Sequence, residues 1–218
     1  MTELTIEEFP NGIKVFQGTD GYKFTKDAVD LAKFCKIKHT DNVLEMCAGS
    51  GVVSFYAYSL CKFNKLYLNE IQHSNCEIIN QNIHLNNLCG IAKCLEGNLK
   101  NLNYACFDKK LDVIVCNPPY FKVQGSKIND NYSIAISRHE IVVTLDDIVY
   151  KASELIKDKG RFYLCMTPNR MTEVVVALSK HKFECKTIKF LQNHKGEVNL
   201  CLFEAVYKAQ SGVKIILE

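Results

Sequence analysis

Seven short runs rich in leucine and β-branched residues, the first five separated by helical stretches, constrain this chain more than any other feature. The runs cover residues 42–47, 65–69, 91–95, 111–116, 161–166, 186–191 and 198–207. A strand reaches a parallel neighbour only through a crossover long enough for a helix, so the alternation predicts a parallel sheet covered on both faces. Between the last two runs there is no room for such a crossover, and they are predicted to pair antiparallel. The expected fold class is α/β: a Rossmann-like, mostly parallel seven-stranded sheet with a C-terminal antiparallel hairpin and helices on both faces.

Start signals support the helices. Ser74 and Glu77 read as a capping box, and Thr144-Leu-Asp-Asp147 opens a segment with Leu145, Ile148, Val149, Ala152, Leu155 and Ile156 on one apolar face. Thr167 puts a capping hydroxyl before Pro168 at a first helical position. Ahead of the first strand, two apolar stretches at 4–9 and 13–16 flank Pro10-Asn11-Gly12, a hairpin turn. A helix is predicted over 25–35, with Ala28, Leu31, Ala32 and Cys35 on one face. Residues 1–38 are thus expected to form an extension on a main domain of residues 39–218, the two making one compact unit. The polar segment 121–137 is the expected flexible loop.

Composition excludes several classes. With 218 residues, 47% apolar and 23% charged, the chain suits one ordinary globular domain. No apolar run approaches the roughly 18 to 20 residues of a membrane span, and the acidic N-terminus lacks signal-peptide order, so a cytoplasmic location without membrane partners is expected. The eleven cysteines are odd in number and contain no Cys-x-x-Cys, and the histidines form no His-Glu-x-x-His, so no metal site is expected. Cys47, Cys116, Cys165 and Cys201 lie in or beside apolar runs and are predicted to be reduced, buried thiols. A net charge of +3 permits a nucleic-acid partner without requiring one.

Two motifs carry chemistry. In the first, the run at 42–47 carries Glu45 and ends in Cys47-Ala48-Gly49-Ser50-Gly51, which opens a helix. Glycines there allow a backbone to approach a ligand, beside the free amides of a helix N-terminus. Glu70 ends the next run, where a carboxylate can accept from ribose hydroxyls. Dinucleotide turns carry a third glycine; Val52, Val53 and Ser54 follow here instead, which favours an adenosine-bearing cofactor without phosphates. The second motif is Asn117-Pro118-Pro119-Tyr120-Phe121, directly after a buried strand. Consecutive prolines lock the backbone and remove two donors, leaving carbonyl acceptors. The Asn117 side-chain oxygen and the Pro118 carbonyl can take the two hydrogens of a conjugated amine and localise its lone pair toward a methyl donor. Tyr120 offers a flat face for a planar substrate. Catalysis of this kind rests on orientation and acceptor placement.

The order of Gly21-Tyr-Lys-Phe-Thr25-Lys-Asp27, Glu45 to Gly51, Cys116 to Phe121, Arg138-His-Glu140 and Lys195 to Leu200 resembles the bacterial tRNA1(Val) adenine-N6 methyltransferase family over nearly the whole chain. That family belongs to the Asn-Pro-Pro-Tyr class of S-adenosylmethionine-dependent N-methyltransferases. The resemblance implies methylation of the anticodon-loop adenine 3′ of the anticodon, with S-adenosylhomocysteine as product, no metal, tRNA as partner and no obligatory protein partner. It implies that Asn117, Pro118, Pro119 and Tyr120 hold the target amine. Glu45, Gly49 and Gly51 would surround the methionine part of the cofactor, Glu70 its ribose, and Asn98 and Leu99 its adenine. Phe24, Thr25 and Asp27 would close over it, and Cys47, Ala48, Ile71 and Asn117 complete the cofactor set. Glu45 and Asn98 stand where the family usually has aspartates. A flipped base would stack on Tyr120 and Phe121, with Lys122, Lys127, Arg138 and Lys195 facing phosphates. Alternatives are an rRNA base N-methyltransferase, a release-factor glutamine N-methyltransferase and a non-catalytic RNA-binding protein on the same scaffold. About forty residues precede the first strand of the main domain, which argues against the helical substrate domain of the release-factor enzymes.

Overall fold

A computed structural model describes residues 4–18, 26–120 and 142–218. The strands are β1 (Leu4–Glu8), β2 (Lys14–Gly18), β3 (Asn42–Met46), β4 (Lys65–Glu70), β5 (Ala92–Glu96), β6 (Leu111–Cys116), β7 (Ile156–Met166), β8 (Phe183–Gln192), β9 (Val198–Tyr207) and β10 (Lys214–Leu217). The helices are α1 (Lys26–Phe34), α2 (Val52–Leu60), α3 (His73–Leu85), α4 (Leu145–Leu155) and α5 (Met171–Lys180). β1 and β2 pair with each other, and the other eight strands form one sheet in the order β10-β8-β9-β7-β6-β3-β4-β5. β9 runs antiparallel to both β7 and β8, and the remaining pairs are parallel.

Every residue of β3 and β6 is buried, as a parallel strand covered on both faces requires. Successive side chains alternate between two cores. Val43, Val113, Val115 and Cys165 pack with Leu31, Phe55 and Ile79 of α1, α2 and α3. Leu44, Met46, Ile114 and Cys116 pack on the other face with Ile148 and Val149 of α4 and Val174 of α5. The α/β class expected from the sequence is the observed one, with eight strands in place of seven. β10 adds the eighth beside β8; its exposed Ile215 and Leu217 show no alternation that would mark a strand.

Local chemistry accounts for three further differences. No α-helix joins β5 to β6; single 3₁₀ turns at Leu99–Asn101 and Tyr104–Cys106 do, each capped by the asparagine before it, Asn98 or Asn103. Short asparagine side chains satisfy the backbone locally and so compete with helix. α3 begins at His73 with Gln72 as its N-cap, so Ser74 lies inside the helix and forms no capping box. A capping box forms instead at Thr144, with Thr144 Oγ1 accepting from the Asp147 amide at 3.2 Å and Asp147 Oδ2 from the Thr144 amide at 2.9 Å. The Thr167 hydroxyl instead donates to Asn169 Oδ1 at 2.6 Å.

The N-terminal hairpin is fastened to α3 by two asparagines, Asn86, which accepts from the Lys14 amide at 2.9 Å and donates to the Lys14 carbonyl, and Asn82. Asn82 of α3 is fully buried; its Oδ1 accepts from the Phe16 amide at 2.6 Å and its Nδ2 donates to the carbonyls of Phe16 and Ser50. β2 is thereby tied to the turn that follows β3. All eleven cysteines are free; Cys116, Cys165 and Cys201 are buried and Cys47 is half-buried. Among the described residues no helix is long and apolar enough to cross a membrane.

Candidate active site at the carboxyl end of the sheet

Strand order reverses at β3, which has β4 and β5 on one side and β6 and β7 on the other. Open α/β sheets bind ligands in the crevice at the carboxyl end of such a point. The chain leaves β3 through three left-handed residues, Cys47 (φ 55°), Gly49 (φ 56°) and Gly51 (φ 82°). The turn is held by Ala48 donating to the Asn69 carbonyl at 2.9 Å and by Gly49 donating to Glu70 Oε2 at 2.7 Å. Its two glycines differ in task. A side chain on Gly49 would meet nothing within 4 Å, so this glycine faces open space. A Cβ on Gly51 would lie 2.6 Å from Leu68 and 2.7 Å from the Phe55 ring, so Gly51 serves the packing of α2 on β4. Gly51→Ala is expected to destabilise the fold by about 2 kcal/mol in urea unfolding, combining left-handed strain with overpacking, whereas Gly49→Ala meets only the strain.

Glu45 is 1% exposed and its Oε2 accepts from the Ser54 amide in the first turn of α2 at 2.9 Å. Burial pushes its carboxyl up to about 7; the Ser54 bond pulls the other way and the Glu70 carboxylate adds to the rise. Glu70 is also raised by burial, opposed by the Gln72 and Gly49 amides that donate to it. Two acidic acceptors therefore border a turn that has no basic residue between 47 and 51. This donor and acceptor set fits an ammonium group and ribose hydroxyls and would leave a pyrophosphate uncompensated.

Other expected cofactor residues fall unevenly around the crevice. Ile71 is partly exposed beside Glu70. The Gly97 amide donates to the Glu70 carbonyl at 2.8 Å, and Asn69 Nδ2 holds the Gly97 carbonyl at 3.0 Å, which brings Asn98 alongside. Asn98 Oδ1 already accepts from the Lys100 amide at 2.9 Å, one lone pair of that oxygen remaining. Leu99 is turned into the core on the α4 face and is 3% exposed, so its side chain forms no wall of the crevice. Asp27, in the first turn of α1, is half-buried; burial raises the Cys165 thiol, and the nearby Asp27 charge adds to the rise. Phe24 and Thr25 lie outside the described residues.

Asn117 and Tyr120 are half-buried, and Pro118 and Pro119 are buried. Asn117 Oδ1 accepts from the Tyr120 hydroxyl at 2.6 Å and from the Cys165 thiol at 3.1 Å, and these two donors lie 3.2 Å apart. In the protein alone this oxygen is therefore not the open acceptor expected from the motif, and the Tyr120 hydroxyl is folded inward onto it. Arg170, 6% exposed, donates from Nη1 to the Tyr120 carbonyl at 3.1 Å. The sequence marks Cys165 only as a buried thiol and does not mark Arg170; both arrive because β7 lies beside β6, with Leu164 opposite Cys116. Lys195 is exposed in the β8–β9 turn, and β8 runs in the direction of β7, so this lysine sits at the same end of the sheet. Phe121, Lys122, Lys127 and Arg138, with the rest of 121–137, lie outside the described residues.

This strand order and crevice define a class I methyltransferase fold, and solved methyltransferases superpose on the chain. Trm5 of Methanocaldococcus jannaschii in complex with adenosine does so with a TM-score of 0.68 at 15% identity, over 96% of this chain and 57% of that one. The chain belongs to the family described as Conserved hypothetical protein 95, whose model matches residues 12–158. Among curated relatives, a release factor glutamine methyltransferase of Mycoplasma mycoides is 27% identical over 144 residues. That match covers 62% of this chain and 49% of the relative. A tRNA1(Val) (adenine(37)-N6)-methyltransferase of Shewanella woodyi is 26% identical over 171 residues, covering 73% of this chain and 66% of the relative. The chain thus spans about half of the first relative and about two thirds of the second.

Proposed function

We propose that this protein transfers a methyl group from S-adenosylmethionine to the N6 amine of an adenine in tRNA, at the position 3′ of the anticodon in tRNA1(Val). The observation that carries the reading is the juxtaposition of Asn117 and its two prolines with the open Gly49 turn, at the strand-order reversal. When bound, S-adenosylmethionine supplies an electrophilic methyl group on a sulfonium. Glu45, Cys47, Ala48, Gly49 and Gly51 border its methionine part, Glu70 and Ile71 its ribose, and Asn98 its adenine. Asp27, with Phe24 and Thr25, covers it from the extension formed by residues 1–38, while 39–218 form the transferase unit.

Asn117 Oδ1 and the Pro118 carbonyl accept the two amine hydrogens, which turns the nitrogen lone pair out of conjugation. The amine replaces the Tyr120 hydroxyl on Asn117, and the released Tyr120 ring stacks on the base. Lys195, with Lys122, Lys127 and Arg138, faces the phosphates of the loop. A glutamine amide presents a similar edge, and the Mycoplasma relative favours it as a second reading. The tRNA reading is preferred because the Shewanella match extends over more of this chain, 73% against 62%.

Labelled S-adenosylmethionine, unmodified tRNA and purified protein, followed by nuclease digestion and mass spectrometry, test the proposal. N6-methyladenosine in tRNA1(Val) is the expected product. Label in ribosomal RNA or on a release-factor glutamine would replace the substrate. Cofactor binding with no transfer to any of the three would point to a non-catalytic RNA-binding role.

A further inference from the structure

We infer that Arg170 is a positioning residue for the Asn-Pro-Pro-Tyr loop, acting through the Tyr120 carbonyl; this rests on the function proposed above. A guanidinium loses much hydration when buried and is kept there only where it is fully engaged. Arg170 is 6% exposed, its Nη1 donates to the Tyr120 carbonyl at 3.1 Å, and its Nε and Nη2 donate to Glu173 Oε2 at 3.2 and 3.0 Å. One face of the fork is thus anchored in the first turn of α5 and the other grips the loop.

The loop has particular need of a donor from outside. Pro118 and Pro119 bring no amide, so the backbone leaving β6 loses two donors in succession and its carbonyls remain to be held by a donor from elsewhere. Arg170 reaches one of them from a rigid base. It ends the 3₁₀ turn Pro168–Arg170 directly after β7, its amide donates to the Thr167 carbonyl at 3.0 Å, and α5 begins at the next residue. The held carbonyl belongs to the residue whose hydroxyl caps Asn117 Oδ1. Fixing it therefore sets the separation between the acceptor and the stacking ring. Misplacement of a reacting group by about 1 Å can cost a hundredfold in rate.

Arg170→Met and Arg170→Lys test the assignment by two independent readouts. In Arg170→Met, kcat for adenine methylation is expected to fall about fiftyfold, with the Kd for S-adenosylhomocysteine within about twofold of wild type. Arg170→Lys, which keeps the charge and one donor but loses the planar fork, should recover part of that loss. Hydrogen exchange at the Asn117 and Tyr120 amides should speed up in Arg170→Met, while exchange along α5 stays unchanged. A kcat within twofold of wild type overturns the assignment. So does loss of cofactor affinity in parallel with faster exchange throughout α5, which marks a residue that merely holds the fold. If wild type methylates no adenine, the proposed function fails and the exchange readout alone decides. Faster exchange confined to the loop upholds Arg170, and unchanged exchange overturns it.

Discussion

Asn117→Ala is expected to lower kcat for methyl transfer to adenine about a thousandfold, ~4 kcal/mol in the barrier, with S-adenosylhomocysteine bound within about threefold of wild type. The size follows from what alanine removes. In the proposed reaction Asn117 Oδ1 is the side-chain acceptor that receives the amine, and the prolines beside it supply only main-chain carbonyls. The protein should survive the change. The Tyr120 hydroxyl and Cys165 thiol that donate to Asn117 stand 3.2 Å apart and can satisfy each other, so the loss of stability stays near 1 kcal/mol. Asn117→Asp keeps an acceptor at the same place and should retain more activity than the alanine variant. Single-turnover transfer and calorimetric titration with S-adenosylhomocysteine measure the two halves separately. Alanine activity within tenfold of wild type would remove Asn117 from the centre of the reaction.

What could be seen before the structure divides by the range of the interactions involved. β3 and β6 were legible because burial on both faces leaves mainly apolar residues, interrupted by Asn42, Glu45 and Asp112, and the helix after Thr144 because its apolar positions recur at helical spacing. The glycine turn was legible as a turn, yet only the fold separates Gly49, open to a ligand, from Gly51, pressed on Leu68 and Phe55. Asn82 and Arg170 gave no signal, and Cys165 read only as a buried thiol. Asn82 meets Phe16 across 66 positions, and Cys165 and Arg170 meet Asn117 and Tyr120 across 48 and 50. Those contacts exist only once strand order is fixed. β10 escaped for a different reason: an exposed edge strand of four residues buries too little to impose a period. The motif residues thus mark where chemistry occurs, and the residues that set their geometry come from neighbouring strands.

Glu45→Gln is expected to make the free protein more stable at pH 8 and a weaker binder of S-adenosylmethionine. Burial holds the Glu45 carboxyl at about 7 in the folded chain, against an ordinary value of 4.5. The folded state therefore binds more protons than the unfolded chain between these values. By linkage, stability falls as pH rises through that window and is constant above it, a loss of roughly 3 kcal/mol from this one group. Glutamine keeps an acceptor for the Ser54 amide and carries no charge, but brings an amide group that needs a partner, at about 1 kcal/mol. The variant should thus exceed wild type by about 2 kcal/mol at pH 8, with the gap closing at about pH 5 and wild type ahead by about 1 kcal/mol below that. Glu70, also raised by burial, slopes both proteins in the same sense; its charge adds to the Glu45 rise, so removing the Glu45 charge eases Glu70 as well and adds to the variant's advantage at pH 8. Cofactor binding should move the other way. An ammonium beside Glu45 requires the ionised carboxylate, so wild-type affinity climbs as pH passes 7, while the variant stays flat and about tenfold weaker at pH 8. Urea unfolding and cofactor titration at matched pH values read both effects. A variant no more stable than wild type at pH 8, or equal to it in cofactor affinity, would show that the buried carboxylate is kept for some purpose other than meeting the cofactor's positive charge.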